Sequence, residues 1–411
     1  MMKEIEILFI GFLLSDEKMK EIYDKEKKLM HYAANKFQWN LIRGLKESEE
    51  IKRIIALSTP SISCYPSHPT IFMKQDKELK GKLEIKYIPF LNLRILKSLT
   101  TFISSIYHTL LWQLKNRKKD KLVVTYAMYN PYMLVNYLLG KLFSTPQIIV
   151  ILDFPEFMNL KSDELDLLSS FIRKLNIKIG WKIVNSFDGY ILLTEHIASK
   201  LNLGSEKYII LEGFADIDTN SSLSSSAEVK SEKRIVMYAG SLNEKYGVKD
   251  LIDGFEMLEN NNFELWLCGI GDSESYIKER AKVDSRIKYY GQLDNKQVKL
   301  LQQKVHILIN PRPSKHEFTK YSFPSKIMEY MSSGKAVVTT KLAGIPIEYY
   351  PYVHLLEDET PKGIANIILR VGSLTSEELE SFGKTAYEFI TFNKNYQAQS
   401  RKILRLFSKY V

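Results

Sequence analysis

Short, nearly continuous apolar runs alternate with longer amphipathic stretches along most of this chain. Residues 4–11 read as a buried strand ending at Gly11, because Ile5, Ile7, Leu8, Phe9 and Ile10 are almost uninterrupted by polar residues. Residues 18–45 read as mostly helical, and Ile51–Leu57 as a second apolar run. Pro60, Pro66 and Pro69 then mark a long loop. Within 92–115, apolar residues from Ile95 through Leu99, Ile103 and Ile106 to Leu114 recur at helical spacing. The cations at 115–119 close that helix at the end its dipole favours. Leu122–Tyr126 predicts a strand, and Pro131 opens a helix from its preferred first position. Gln147–Leu152 predicts a strand leading into Asp153, residues 163–185 a helix, and Gly189–Leu193 another strand.

A polar, Ser-rich stretch at 215–233 interrupts the pattern and predicts a linker. The alternation then restarts. Strands are expected at Arg234–Ala239, Phe263–Cys268, Ile287–Tyr290, Val305–Ile309 and Ala336–Thr340. Helices are expected at Val248–Glu259, Tyr276–Lys282, Gln297–Gln303 and from Pro324 to Met331, with a helical close over 376–410. Apolar strands separated by helices imply parallel βαβ units covered on both faces, so the predicted class is α/β with two domains in tandem. The length of 411 residues agrees, since one domain rarely grows so large.

Composition narrows the classes. With 45% hydrophobic and 26% charged residues, the chain is expected to fold rather than stay disordered. Its two cysteines, Cys64 and Cys268, cannot form a disulfide framework or a Cys-rich zinc site. The opening run Ile7–Leu14 is expected to be a buried strand rather than the core of a signal peptide, with no small-residue cleavage site after it, and no uncharged stretch reaches membrane-spanning length. The net charge of +10 is concentrated in residues 52–121, which hold 14 Lys and Arg against 4 Asp and Glu. That stretch reads either as a solvated basic face or as a surface for an anionic partner, lipid headgroups or nucleic acid, the latter disfavoured because no nucleic-acid-binding module accompanies the charge.

Candidate chemistry lies where strands end, because ligands of open parallel sheets sit beyond the carboxyl ends of the strands. Gly240-Ser241 through Lys245 to Gly247 joins a strand to a helix, with glycines that let backbone N–H groups approach a phosphate. Gly269-Ile270-Gly271 starts like a dinucleotide fingerprint, but Glu274 occupies the third glycine position. In Ser322-Phe323-Pro324-Ser325-Lys326-Ile327-Met328-Glu329, Lys326 and Glu329 share one helical face. A cation at a helix start opposes the dipole unless an anion binds there, and a diphosphate would resolve that conflict. Glu329, a turn further in, is suited to accept hydrogen bonds from ribose hydroxyls. Asp216 and Asp218, spaced like a metal-binding pair, fall in the linker and read as solvated.

These residues carry a resemblance. Phe318–Lys335 followed by Ala336–Thr339 is similar to the donor-site signature of glycosyltransferase family 4, most of all to its bacterial exopolysaccharide, capsule and O-antigen members. Tyr238-Ala239-Gly240, Gly269-Ile270-Gly271, Tyr290-Gly291 and Ala343-Gly344-Ile345-Pro346 resemble further segments of that family. The resemblance implies the GT-B fold, two Rossmann-like parallel-sheet domains facing a cleft. The acceptor domain would span 1–214, the linker 215–233 and the nucleotide-sugar domain 234–390, with a helix at 391–411 returning toward the first domain. It implies a retaining, metal-independent transferase with no cofactor. The donor would be a nucleotide sugar, UDP-linked by the same resemblance. The acceptor would be a lipid-linked glycan at the inner face of a bacterial membrane, on an anionic surface and with no nucleic acid.

By the same resemblance the donor would meet Gly240, Ser241, Lys245, Gly271, Arg312, Glu317, Tyr321, Ser325, Lys326 and Glu329. Asp153 and Lys326 would act in catalysis, and Gly11, His31, Asn35 and Glu195 would line the acceptor side. The family's two glutamates are separated by seven residues. Glu329 fits the second, Tyr321 occupies the first and Glu317 lies four positions earlier. Ser241 stands where the family has a phosphate-binding arginine, and Tyr246 where it has a lysine, with Lys245 adjacent. A non-catalytic GT-B partner subunit is the alternative reading.

Overall fold

A computed structural model describes residues 4–23, 32–157, 167–215, 233–259 and 261–411. The chain divides into two units, one of residues 1–211 and 396–411, the other of residues 212–395. The expected linker and its Asp216 and Asp218 lie mostly outside the described residues, as does His31.

The first unit is built on an eight-stranded sheet. Its strands are β1 (Ile5–Gly11), β2 (Ile51–Ser58), β4 (Asp76–Lys80), β5 (Leu83–Tyr87), β7 (Lys121–Tyr126), β8 (Gln147–Ile151), β9 (Gly189–Leu192) and β10 (Tyr208–Ile210). Their order is β10-β9-β8-β7-β1-β2-β5-β4, and only the edge strand β4 runs antiparallel to its neighbour. A separate two-residue pairing joins β3 (Phe72–Met73) to β6 (Phe90–Leu91). Every residue of β1, β7 and β8 is buried, which explains why these strands read as continuous apolar runs. The β4–β5 hairpin is not foreshadowed by the apolar pattern, because β4 is largely exposed.

The helices of this unit are α1 (Asp16–Tyr23), α2 (Tyr32–Glu47), α3 (Leu96–Lys115), α4 (Asn130–Phe143), α5 (Leu167–Val184) and α6 (Glu195–Lys200). The crossovers into β7, β8 and β9 all progress the same way along the sheet. Right-handed connection therefore places α3, α4 and α5 on one face and α2 on the other. The contacts agree: α4 packs against both α3 and α5. The helix predicted from the 92–115 periodicity is present, but its orientation is unusual. Thr101, Ser105, Thr109, Trp112 and Gln113 are its buried residues, whereas Leu99, Ile103, Leu111 and Leu114 face solvent.

The second unit holds a wholly parallel sheet of β11 (Arg234–Ala239), β12 (Phe263–Cys268), β13 (Ile287–Tyr289), β14 (Ile307–Asn310), β15 (Ala336–Thr340) and β16 (His354–Leu356). Their order is β13-β12-β11-β14-β15-β16. Its helices are α7 (Val248–Glu256), α8 (Glu274–Val283), α9 (Asn295–Gln303), α10 (Phe318–Tyr321), α11 (Ser325–Met331), α12 (Pro361–Gly372) and α13 (Ser376–Asn393). One core joins Val236, Tyr238, Leu251, Phe255, Leu267 and Ile309 to Ile364 and Ile368 of α12. The helix at 361–372 was not expected, although Thr360 caps it and Pro361 opens it.

The expected closing helix over 376–410 is interrupted after Asn393, and α14 (Tyr396–Phe407) then packs on α2 and β10 of the first unit. Lys394 at the break is fully buried, its Nζ 2.5 Å from an oxygen of Glu212 and 2.5 Å from one of Glu348. Glu212 is thus one half of a buried ion pair.

Candidate active site

In the second unit, strand order reverses between β11 and β14, which are hydrogen-bonded neighbours. Loops leaving the two strands diverge at such a point, so the crevice beyond their carboxyl ends is the favoured ligand position of an open parallel sheet. Gly240 follows β11 directly, and Arg312 lies two residues beyond β14.

The glycine loops are packed backbone against backbone. Gly240 has φ +144°, and Gly240 N–H donates to the Cys268 carbonyl at 2.8 Å. Leu242 N–H donates to the Ile270 carbonyl at 2.9 Å. A Cβ on Gly271 would meet the Leu242 carbonyl carbon at 2.3 Å, so no larger residue fits there without movement. Gly247 has φ +78°, and a Cβ there would lie 2.1 Å from the Pro311 oxygen. Both turns thus use glycine for close approach of main chains.

Lys326 occupies the space left by Gly240. A Cβ on Gly240 would lie 2.0 Å from Lys326 Nζ. Lys326 Nζ donates to the Tyr238 hydroxyl at 2.6 Å and lies 3.9 Å from the centre of that ring. Tyr238 Oη in turn donates to the Ser241 carbonyl at 2.8 Å. Enclosure among these groups pushes the Lys326 pKa down to about 7. The nearby Arg312 charge acts in the same direction, and Glu329 opposes it. Arg312 packs its guanidinium 4.8 Å from the Tyr246 ring centre and 5.7 Å from that of Phe318, with Ser322 Oγ 3.5 Å away. Lys245 Nζ lies 5.2 Å from the Tyr246 ring centre.

Helix α11 begins at Ser325, one residue later than expected, with Pro324 in extended backbone at the cap position. Tyr330 anchors this helix: its hydroxyl accepts from Ala239 N–H at 2.9 Å and donates to the Ala239 carbonyl at 3.1 Å. Glu329 beside it is exposed and accepts a hydrogen bond from Gln302 Nε2 at 2.7 Å. Ser325 and Ser241 are exposed. Glu317 is exposed at the N-cap of α10, and Tyr321, half-buried, ends that four-residue helix. The structure thus joins Gly240, Ser241, Gly271, Arg312 and Lys326 in one connected group. Tyr238, Tyr246, Gln302 and Tyr330, which sequence reasoning did not assign to the site, hold its parts. Their signal was weak because each acts through a contact distant in sequence.

In the first unit the strand order reverses between β1 and β7, and Gly11 ends β1 there. The Gly11 carbonyl accepts from the Tyr132 hydroxyl at 3.1 Å, and a Cβ on Gly11 would meet Gln38 Oε1 at 2.6 Å. Asn35 corrects its expected acceptor-side role. It is buried, and its amide pairs with both the N–H and the carbonyl of Leu14 at 2.9 and 3.0 Å, tying α2 to the loop after β1. Glu195 opens α6 and accepts from the Tyr208 hydroxyl at 2.6 Å, which helps to push that phenol up to about 12. Asp153 lies two residues beyond β8 and is exposed, and its charge adds to the burial that raises the Tyr126 phenol pKa.

HepE of Anabaena, solved in complex with UDP, superposes with a TM-score of 0.63 at 14% identity over 98% of this chain and 100% of that one. The lipopolysaccharide outer core galactosyltransferase WaaB gives 0.60 at 13% over 99% and 100%. The catalytic domain of starch synthase IV from Arabidopsis thaliana, bound to ADP and acarbose, gives 0.63 at 10% over 99% and 99%. The fold is GT-B. Within this GT-B chain, residues 233–373 match the family model described as Glycosyl transferases group 1, a span that contains every candidate donor-site residue. The family match lies within the second unit, and the superpositions extend the likeness in fold to the whole chain. No curated protein sequence matches the chain.

Proposed function

We propose that this protein transfers a sugar from a nucleotide diphosphate sugar, UDP-linked, to a lipid-linked glycan of a bacterial surface polysaccharide, with retention of anomeric configuration and in the manner of glycosyltransferase family 4. The observation that carries the reading is Lys326, a lysine held near neutrality against a glycine turn, with Arg312 close enough to depress its pKa. Two juxtaposed cationic groups at a sheet's switch point call for a polyanion, and a diphosphate supplies matching charge.

In the proposed reaction the bond between the sugar and the diphosphate breaks, and the acceptor oxygen bonds to the anomeric carbon. The acceptor proton passes to the departing diphosphate. Lys326 and Arg312 stabilise the charge that develops on that leaving group. Glu329, oriented by Gln302, would take the ribose hydroxyls. No metal is needed in this scheme, so turnover in excess EDTA should match turnover in magnesium. Loss of activity in EDTA, restored by magnesium or manganese, would refute that part. In the proposal the protein is cytoplasmic and peripheral on the inner membrane face. Among the described residues no helix is long and apolar enough to cross a membrane.

The testing experiment is a thermal-shift panel of nucleotides and nucleotide sugars, followed by donor hydrolysis with the ligands that bind. A ligand at 100 times its Kd stabilises the folded state by about 2.7 kcal/mol, a clear shift in Tm. No shift with any nucleotide would overturn the proposal. Ser241 and Tyr321, standing where the family places an arginine and a glutamate, favour a second reading as a non-catalytic partner subunit. Binding without any turnover of the donor would select that reading.

A further inference from the structure

The first unit presents an apolar face that its own core does not use. On α3 the buried stripe is Thr101, Ser105 and Thr109, and the hydroxyls of Ser105 and Thr109 have no hydrogen-bond partner among the described residues. The leucine stripe of the same helix, with Leu99, Ile103, Leu111 and Leu114, is turned outward at about half exposure. The neighbouring helix α4 exposes Leu138 and, at 70%, Leu142. Beyond it α5 exposes Leu175 and, at 65%, Phe171. The three helices lie side by side on one face of the sheet, so these side chains form one surface rather than scattered residues. Monomeric proteins in water rarely leave so many large apolar groups together.

The charges on the same helices identify what covers it. Across α3, α4 and α5 there are seven lysines or arginines and no aspartate or glutamate. Among the exposed ones are Lys115, Lys141, Lys174, Lys178 and Lys182. A second copy of this chain meeting the face symmetrically would set cations against cations. An anionic bilayer meets both features at once, with headgroups for the cations and acyl chains for the leucines. The wider basic stretch of 52–121 contributes less than its composition implies. Lys52 pairs with Glu4, Arg53 with Glu84 and Lys119 with Glu6, and Lys121 is buried.

We infer that the outward faces of α3, α4 and α5 seat the protein on an anionic lipid bilayer, with the apolar side chains entering the interfacial layer. This inference rests on the proposed function only for the reason a bilayer is met, a lipid-borne acceptor. Vesicle binding is read without turnover, so the two readings fail separately.

The test is co-sedimentation with vesicles of phosphatidylglycerol and phosphatidylcholine, and with phosphatidylcholine alone, at low and high salt. The expected result is strong binding to the anionic vesicles that high salt weakens but does not abolish, because salt screens the cations and leaves apolar insertion intact. The double variant Leu99→Glu and Ile103→Glu should lower the partition coefficient at least tenfold. Both side chains are exposed, so far-ultraviolet circular dichroism and Tm should be unchanged. The triple variant Lys141→Gln, Lys174→Gln and Lys178→Gln should remove most of the salt dependence. Negligible binding to anionic vesicles at low salt would overturn the inference, and so would binding that the Leu99 and Ile103 changes leave intact. A dimer in sedimentation velocity that the same two changes dissociate would overturn it too, assigning the face to a second copy.

Discussion

Raising the pH from about 6 to about 8 should weaken binding of a nucleotide sugar to this protein about tenfold, through Lys326 alone. With its pKa pushed down to about 7 in the free protein, Lys326 is about ten parts in eleven protonated at the lower pH and one part in eleven at the higher. The sign follows from which form binds. A diphosphate favours the charged ammonium, so the complex holds the proton to a higher pH than the free protein does. Above the free-state pKa a proton must then be taken up on binding. At the upper pH the cost is about 1.4 kcal/mol, which is a factor of ten. The phosphates of a nucleotide sugar are esterified and stay ionised across the window, so the ligand does not add its own titration. Calorimetry in two buffers of different ionisation enthalpy reads both Kd and the proton uptake, expected to approach one proton at the upper pH. Lys326→Arg stays charged throughout and should flatten the profile. Arg312→Leu removes a neighbouring charge that depresses Lys326 and should move the midpoint upward. A Kd that is constant over the window with no proton uptake, or an unchanged slope in Lys326→Arg, would refute the placement of Lys326 against the diphosphate.

Gly240→Ala should reduce donor affinity by at least tenfold, because the new methyl group would lie 2.0 Å from Lys326 Nζ on backbone at φ +144°; titration with UDP-glucose reads it, and wild-type affinity would show that Lys326 is free to move aside. Glu329→Ala should weaken binding of UDP and of uridine alike, and Gln302→Leu should reproduce a milder form of the same loss by releasing the carboxylate. Equal uridine affinity in all three proteins would remove Glu329 from the nucleoside site. Lys394→Met should destabilise the second unit by about 3–5 kcal/mol by removing the ammonium that faces the buried Glu212 carboxylate, and adding Glu212→Leu should restore much of that in urea unfolding.

The parallel strands were legible because burial on both faces leaves them as uninterrupted apolar runs, and Phe263–Cys268 was bounded correctly from sequence on that basis. Strands that are short or one-sided left no such trace: β16 has three residues, and β4 alternates at an exposed edge. The spacing of Lys326 and Glu329 was legible for a local reason too, since both fall within α11 and share a helix face whatever surrounds them. Tyr238, Tyr330 and Gln302 were not, because a tyrosine that cradles a lysine 88 positions away differs in no local respect from one that fills a core. Asn35 failed in the opposite direction. A polar side chain near a strand end invites a ligand in one dimension, but in three its amide completes the hydrogen bonds of Leu14.

The helix α3 shows where pattern reading meets its limit. Periodicity identifies a helix and the width of its apolar stripe, but it is silent on which side the protein occupies. The usual inference, that the apolar stripe faces the core, holds only when water covers the other side. Here Thr101, Ser105 and Thr109 face inward and the leucines outward. In water alone that arrangement exposes apolar area and buries hydroxyls, two unfavourable changes that rotation of the helix about its axis would reverse. Retaining it makes sense if the outer surface meets a medium that accepts leucine. The all-cationic charge of α3, α4 and α5 gives that medium its sign. One orientation of one helix therefore ties the folding of the first unit to the medium its outer face meets.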